Sequence, residues 1–438
     1  MIILTFLIFS ILSPIQDLDT GYYYFGTTNY LGTGLVGPEG KEGEWKVYEK
    51  VNPEPDPKPS LKSVNKTILL KEFDSKPKYS VSFKIDQPNG PFKEFFEDGQ
   101  IKTLSNYQDG KIHGEHTEYF ENGGVATAGS FHEGEKNGDW KEFYPDGQLS
   151  KSYSYKLGLL DGLVESYYPD GKIKWFFMNK GGELNGDYAH FNPDGSFLEK
   201  GSYRSGALDG EFIQYYPDHS IKIQGEFLAG KQHGVWKSFD ENANLVFEGH
   251  FENGLANGSS TERLDLVPTY MRKGSVLAGE KEGEWLVINS NGEVVQKEYY
   301  QGGKLMSLSD FQIGDQVFPG NKVKNGKGKR VLFDELGNKV AEGRIQSGFR
   351  NGVWYHYYPG TNQILSSGKY IRTEKVGLWT FYTIEGDFLD EKDFGTLNNR
   401  GGQSITQNSI GNSFNSSIMD QTSRMNSQVY WSQYGIFR

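Results

Sequence analysis

Short runs of alternating apolar and polar residues fill most of this chain, separated by turn-forming clusters. Trp140-Lys141-Glu142-Phe143-Tyr144 is one such run, closed by Pro145-Asp146-Gly147, and the stretch from Ser196 to Tyr203 is another. Alternation with a period of two marks a strand with one face buried. Proline presets φ and glycine supplies the positive φ that closes a turn. Strand, Pro-Asp-Gly and returning strand together predict a β-hairpin.

The hairpin repeats. Gly90, Gly114, Gly138, Gly162, Gly186, Gly210, Gly234 and Gly258 follow one another at intervals of 24 residues; the register shifts by one at Gly283 and resumes at Gly328, Gly352 and Gly377. Counted from these anchor glycines, position +2 holds Phe92, Trp140, Tyr188, Phe212, Trp236, Trp285, Trp354 and Trp379. Position +5 holds Phe95, Tyr119, Phe143, Tyr167, Phe191, Tyr215, Phe239, Phe333, Tyr357 and Tyr382. Asp-Gly turns recur at Asp98, Asp146, Asp170 and Asp194, and a second glycine recurs at position +20, as in Gly110, Gly134 and Gly158. Gly43, followed by Trp45 and Tyr48, is an early copy.

Side chains alternate faces along a strand, so the two aromatic columns point to opposite sides. The +5 column (Phe143, Phe191, Tyr215, Phe239) is expected to form the packed core. The +2 row of Trp140, Tyr188, Phe212, Trp236, Trp285, Trp354 and Trp379 is then the candidate binding row, shared between packing and recognition. A lone hairpin is marginal, so each must lean on its neighbours. The expected fold is all-β, an elongated array of stacked antiparallel β-hairpins forming a single-layer twisted sheet.

The pattern Gly-x-Trp-x-x-Tyr-Tyr-Pro-Asp-Gly-x-Leu, best matched from Gly186 to Leu208 and from Gly210 to Gln232, resembles the MORN repeat. It is most similar to the longer bacterial variant of that repeat, which is associated with antitoxin-like proteins. The resemblance covers residues 90–389, with degenerate stretches at 259–278 and 306–324. It implies the hairpin stack and a binding or scaffolding role, and it identifies no ligand.

The flanks divide as residues 1–16, a hydrophobic N-terminal segment; 17–51, an isolated early unit; and 52–60, a stiff proline-rich linker. Residues 61–89 read as capping strands, 90–394 as the array, and 395–438 as an Asn/Ser/Gln-rich tail expected to be disordered. Residues 1–12, MIILTFLIFSIL, suit the apolar region of a signal peptide and are too few to span a bilayer. Export to the periplasm, cell surface or medium is expected; without it the protein is cytoplasmic.

Composition sharpens this picture. Only 36% of residues are hydrophobic, yet 15% are aromatic and 56 of 438 are glycine, which suits a thin aromatic array rather than a deep aliphatic core. The net charge of −11 disfavours nucleic acid and anionic membranes as partners. The absence of cysteine excludes disulfides and thiolate chemistry. No catalytic motif stands out: His113, His116 and His132 follow the repeat or lie singly, and the turn aspartates are too sparse along the stack for a calcium row. Neither cofactor nor metal is expected. A catalytic site normally breaks a repeat's regularity, which directs attention to the irregular segments near Arg263 and Asp310. The leading expectation is a non-enzymatic scaffold that binds another protein. The alternatives are an antitoxin-like or immunity protein that neutralises a toxin, and a module binding cell-wall or other envelope glycan.

Overall fold

The computed structural model describes residues 19–24, 30–49, 76–264, 266–267 and 269–396. The N-terminal stretch 1–12, the linker 52–60 and the tail from residue 397 onward lie outside the described residues. Among the described residues every regular element is a β-strand, and paired strands run antiparallel. The structure shows the all-β array of hairpins. The chain divides between Ser196 and Phe197 into two compact units.

In the first unit the strand Gly40–Glu49 pairs directly with Tyr79–Lys84, from Gly43 opposite Phe83 to Val47 opposite Tyr79. The early copy is therefore continuous with the array rather than isolated. Tyr79–Lys84 and Gln87–Phe95 form an ordinary hairpin of the repeat, so this part of the 61–89 segment does more than cap. Regular strands then follow as far as Glu183–Phe191. The second unit begins with Phe197–Arg204 and ends with Phe388–Asp393.

One hairpin shows how the sequence builds the repeat. In the strand Glu135–Phe143, Asn137 faces Ser130 and Lys141 faces Ala128, so Gly138, Asp139 and Trp140 all stand opposite Gly129. The anchor Gly138 has φ +72°, the left-handed geometry that lets a strand bulge and bend. The Pro-Asp-Gly turn closes with Gly147 N–H donating to Tyr144 O at 2.9 Å and Gln148 N–H to Asp146 Oδ1 at 3.0 Å. The turn aspartates thus cap their own turns. At the other end Leu157 and Gly158 have φ of +51° and +76°, as a two-residue type I′ turn requires.

Two ladders tie successive hairpins together, one along each row of turns. The hydroxyls of Tyr144, Tyr168, Tyr216 and Tyr358 donate to the carbonyls of Tyr167, Phe191, Phe239 and Tyr382 at 2.7–2.9 Å. On the opposite row, turn glycines donate backwards, as from Gly134 to Ile112 O and from Gly254 to Gln232 O.

The core lies under the +2 column. Trp45, Trp140, Trp236, Trp285, Trp354 and Trp379 are all 0–1% exposed. Each ring lies over the glycine eleven residues earlier (Gly34, Gly129, Gly225, Gly274, Gly343, Gly368), where an added Cβ would come within 2.2–2.5 Å of it. Each indole N–H donates to the next carbonyl, as Trp140 to Ser130 O at 3.2 Å and Trp236 to Glu226 O at 3.0 Å. Aromatics of the return strands meet these rings edge-on, Phe227 on Trp236 at 4.9 Å and Tyr370 on Trp379 at 5.2 Å. Lys136, Lys281 and Lys375 lay ammonium groups over the outer faces of Trp140, Trp285 and Trp379 at 4.1–4.6 Å.

The expected division between the columns is therefore reversed. At position +5, Phe143, Phe191, Tyr215 and Phe239 are half-buried, and only Phe333 in that column is fully covered. Position +5 ends its strand beside a turn, where neighbours cover little, whereas position +2 sits mid-strand at the bulge.

Candidate functional site

All seven residues of the expected binding row are interior: Tyr188 and Phe212 are 2% exposed, and Trp140, Trp236, Trp285, Trp354 and Trp379 at most 1%. Their rings pack the array and offer no face for a sugar or a partner side chain to stack on. The surfaces open to a partner are the outward columns. At position +1 they read Glu115, Asp139, Leu163, Asp187 and then Glu211, Val235, Glu284, Lys329, Val353 and Leu378, chemically different from one repeat to the next.

The irregular segments do break the pattern, and both do so in one place. Leu264, Val267 and Tyr270 from the first irregular segment and Phe311 from the second, residues 309–321, pack together in the second unit. Phe311 (1% exposed) meets Tyr270 at 5.7 Å and Phe333 at 5.4 Å, and Phe318 meets Phe333 at 5.3 Å. Asn321 Oδ1 accepts from Val331 N–H at 2.9 Å, and Ser309 O accepts from Gln296 Nε2 at 3.0 Å.

Beside them lies a buried charge cluster. Glu298 occupies the return-strand column held elsewhere by Gly225 and Gly343, and Arg330 occupies the +2 column held by tryptophan. A Gly–Trp pair is thus replaced by an ion pair, with both side chains within 4% of full burial. Glu298 also accepts from Tyr300 OH at 2.7 Å and lies 3.7 Å from Arg272, which pairs with Glu262 at 2.5 Å. Lys281 completes the group through Glu262. Burial pushes the Glu298 carboxyl up, but Arg330 and Arg272 outweigh it and hold it down at about 2. Burial lowers Lys281 to about 8, with Arg272 adding to the effect against the pull of Glu262. Glu199 makes the contrast: buried beside Gln214 in the same unit, its carboxyl is raised by burial to about 7.

The cluster ties together strands on both sides of the irregular segments, with Glu262 on Leu255–Arg263, Arg272 on Met271–Leu277, Glu298 on Val294–Gln301 and Arg330 on Lys327–Phe333. The legible signal was a glutamate in a glycine column and an arginine in a tryptophan column. The irregular spacing, 32 residues instead of eleven, hid their pairing.

Four segments, residues 88–109, 136–157, 160–174 and 232–253, match the family described as MORN repeat variant. Each match begins two residues before an anchor glycine (Gly90, Gly138, Gly162, Gly234), the register that the bulges define. Repeats of this family are interaction scaffolds. No curated protein matches the chain.

Proposed function

We propose that this chain is a non-enzymatic scaffold, exported through its N-terminal apolar segment, whose outward columns bind a partner protein. The observation that carries this reading is the division of labour within the repeat. The inward columns are dominated by aromatic residues and glycine and are consumed by packing, while the exposed outward columns vary in charge and size from repeat to repeat. Such a frame can present different side chains at fixed spacing, which is what a recognition surface needs.

The test is capture of partners by the full chain from envelope and cytosolic fractions, compared with a Leu163→Arg/Val353→Arg/Leu378→Arg variant. A partner held by the parent and lost by the equally folded variant supports the reading. Hydrolysis of a glycan or peptide panel by the purified protein overturns it. Export is checked by the N-terminal residue of the mature protein. Intact Met1 on soluble protein removes export and favours the toxin-neutralising alternative, to which the net charge of −11 would suit a basic partner.

A further inference from the structure

The outward face of the second unit carries two like-charge pairs. Glu211 and Glu226 stand directly opposite each other on Ala207–Tyr215 and Ile221–Leu228. Lys329 and Arg344 stand directly opposite each other on Lys327–Phe333 and Lys339–Gln346. All four side chains are exposed. Like charges directly across a ladder are destabilising.

The two pairs occupy the same positions of the repeat. By strand pairing, the outward row after Gly210 and Gly234 reads Glu211, Glu226, Val235, His250; after Gly328 and Gly352 it reads Lys329, Arg344, Val353, Lys369, with one more residue in the last turn. The strand pairing is the same, and Lys329 and Arg344 stand where Glu211 and Glu226 do. Around the second row the like-charge pairing continues, with Lys322 opposite Lys329 and Lys324 opposite Lys327. Among the described residues Lys329 alone of these cations has a carboxylate partner, Glu342 at 2.9 Å; Lys322, Lys324, Lys327, Arg344 and Lys369 have none. Midway along the row a depression of about 430 Å³ opens between Lys329, Glu342, Arg344, Val353 and Tyr355. At the matching place on the acidic row Val235 stands 52% exposed.

We infer that the chain self-associates through this face, the Glu211–Glu226 row of one copy lying on the Lys329–Arg344–Lys369 row of another. A second copy supplies carboxylates at the spacing of the cations, because both rows are built on one repeat. It also supplies an apolar side chain for the depression. Two-fold related copies would use both rows twice, the commonest arrangement of homo-oligomers.

The full chain is followed by sedimentation against concentration and salt. Self-association should weaken as salt rises from about 0.1 M to about 1 M and the Debye length falls from about 10 Å to about 3 Å. The variants Arg344→Glu/Lys369→Glu and Glu211→Lys/Glu226→Lys should each weaken association by at least about tenfold. Mixed in equal amounts they should restore it, since each then meets the opposite sign. Near-ultraviolet circular dichroism confirms that both variants remain folded. A chain that stays monomeric at every concentration overturns the inference. So does association that neither variant changes, or cations that retain an acidic peptide or DNA while the protein remains monomeric.

Discussion

The stretch from Gly210 to Gly258 and the junction from Glu298 to Arg330 solve one packing problem in two ways. In the first, the bulge places Gly234, Val235 and Trp236 opposite Gly225, and the indole lies flat on the glycine. In the second, the corresponding positions hold Glu298 and Arg330, and a buried ion pair with Tyr300 and Arg272 fills the space. A ring covering a glycine stabilises by removing apolar surface from water and needs no partner of opposite sign. An ion pair in the same place recovers its desolvation cost only while every member is present. Regular repeats should therefore fail locally and by degrees, whereas the junction should fail as a unit.

The largest effects come from removing the centre of each solution. Trp236→Ala should cost about 3–5 kcal/mol in denaturant unfolding, leaving a cavity bounded by Phe212, Phe227 and Phe251. Glu298→Gln should cost about 3–5 kcal/mol by leaving Arg330 and Arg272 without their shared carboxylate. Combined with Arg330→Met, the loss should be well below the sum, with a coupling of up to about 3 kcal/mol. Additive losses would remove the distinction between the two regions.

Gly225→Ala should cost about 1–3 kcal/mol, because the new Cβ falls 2.3 Å from the Trp236 ring; a neutral result would mean the ring is not held down. Acid titration separates the two buried glutamates. Glu298 is depressed to about 2, so its contribution is complete above the ordinary carboxylate range and is lost as pH falls toward 2. Glu199 is raised to about 7, so its share of stability is greatest in acid and is lost as pH rises from about 4.5 to 7. Each contributes a slope of about 1.4 kcal/mol per pH unit at most. Glu199→Gln should remove the second slope and leave the first. The smallest change is at a turn: Ala229 has φ +50° beside Gly230, and Ala229→Asn should stabilise by about 1 kcal/mol in thermal unfolding.

Much of this was legible from the chain alone. The Pro-Asp-Gly turns and the positive φ at Gly138 and Gly158 follow from local stereochemistry. The capping role of Asp146 is equally local. The degenerate stretches marked where the structure departs from the repeat. What did not follow was their meeting: Tyr270 and Phe311 are far apart in sequence and share a core only after both segments fold out of the array. The tyrosines at 144, 168, 216 and 358 were visible as the second Tyr of the repeated pattern, but their role was not, since their acceptors lie in the next hairpin.

The sequence by itself determined the period, the hairpin and its turns, because these depend on φ preferences and on alternation within a few residues. Alternation placed the +2 and +5 aromatics on opposite faces. Only the tertiary structure decided which face is the core. Burial depends on what covers a ring, and here the cover is a glycine across a bulge, a lysine two residues before the anchor and the rings of the neighbouring strands. That covering exists only once the hairpins have stacked.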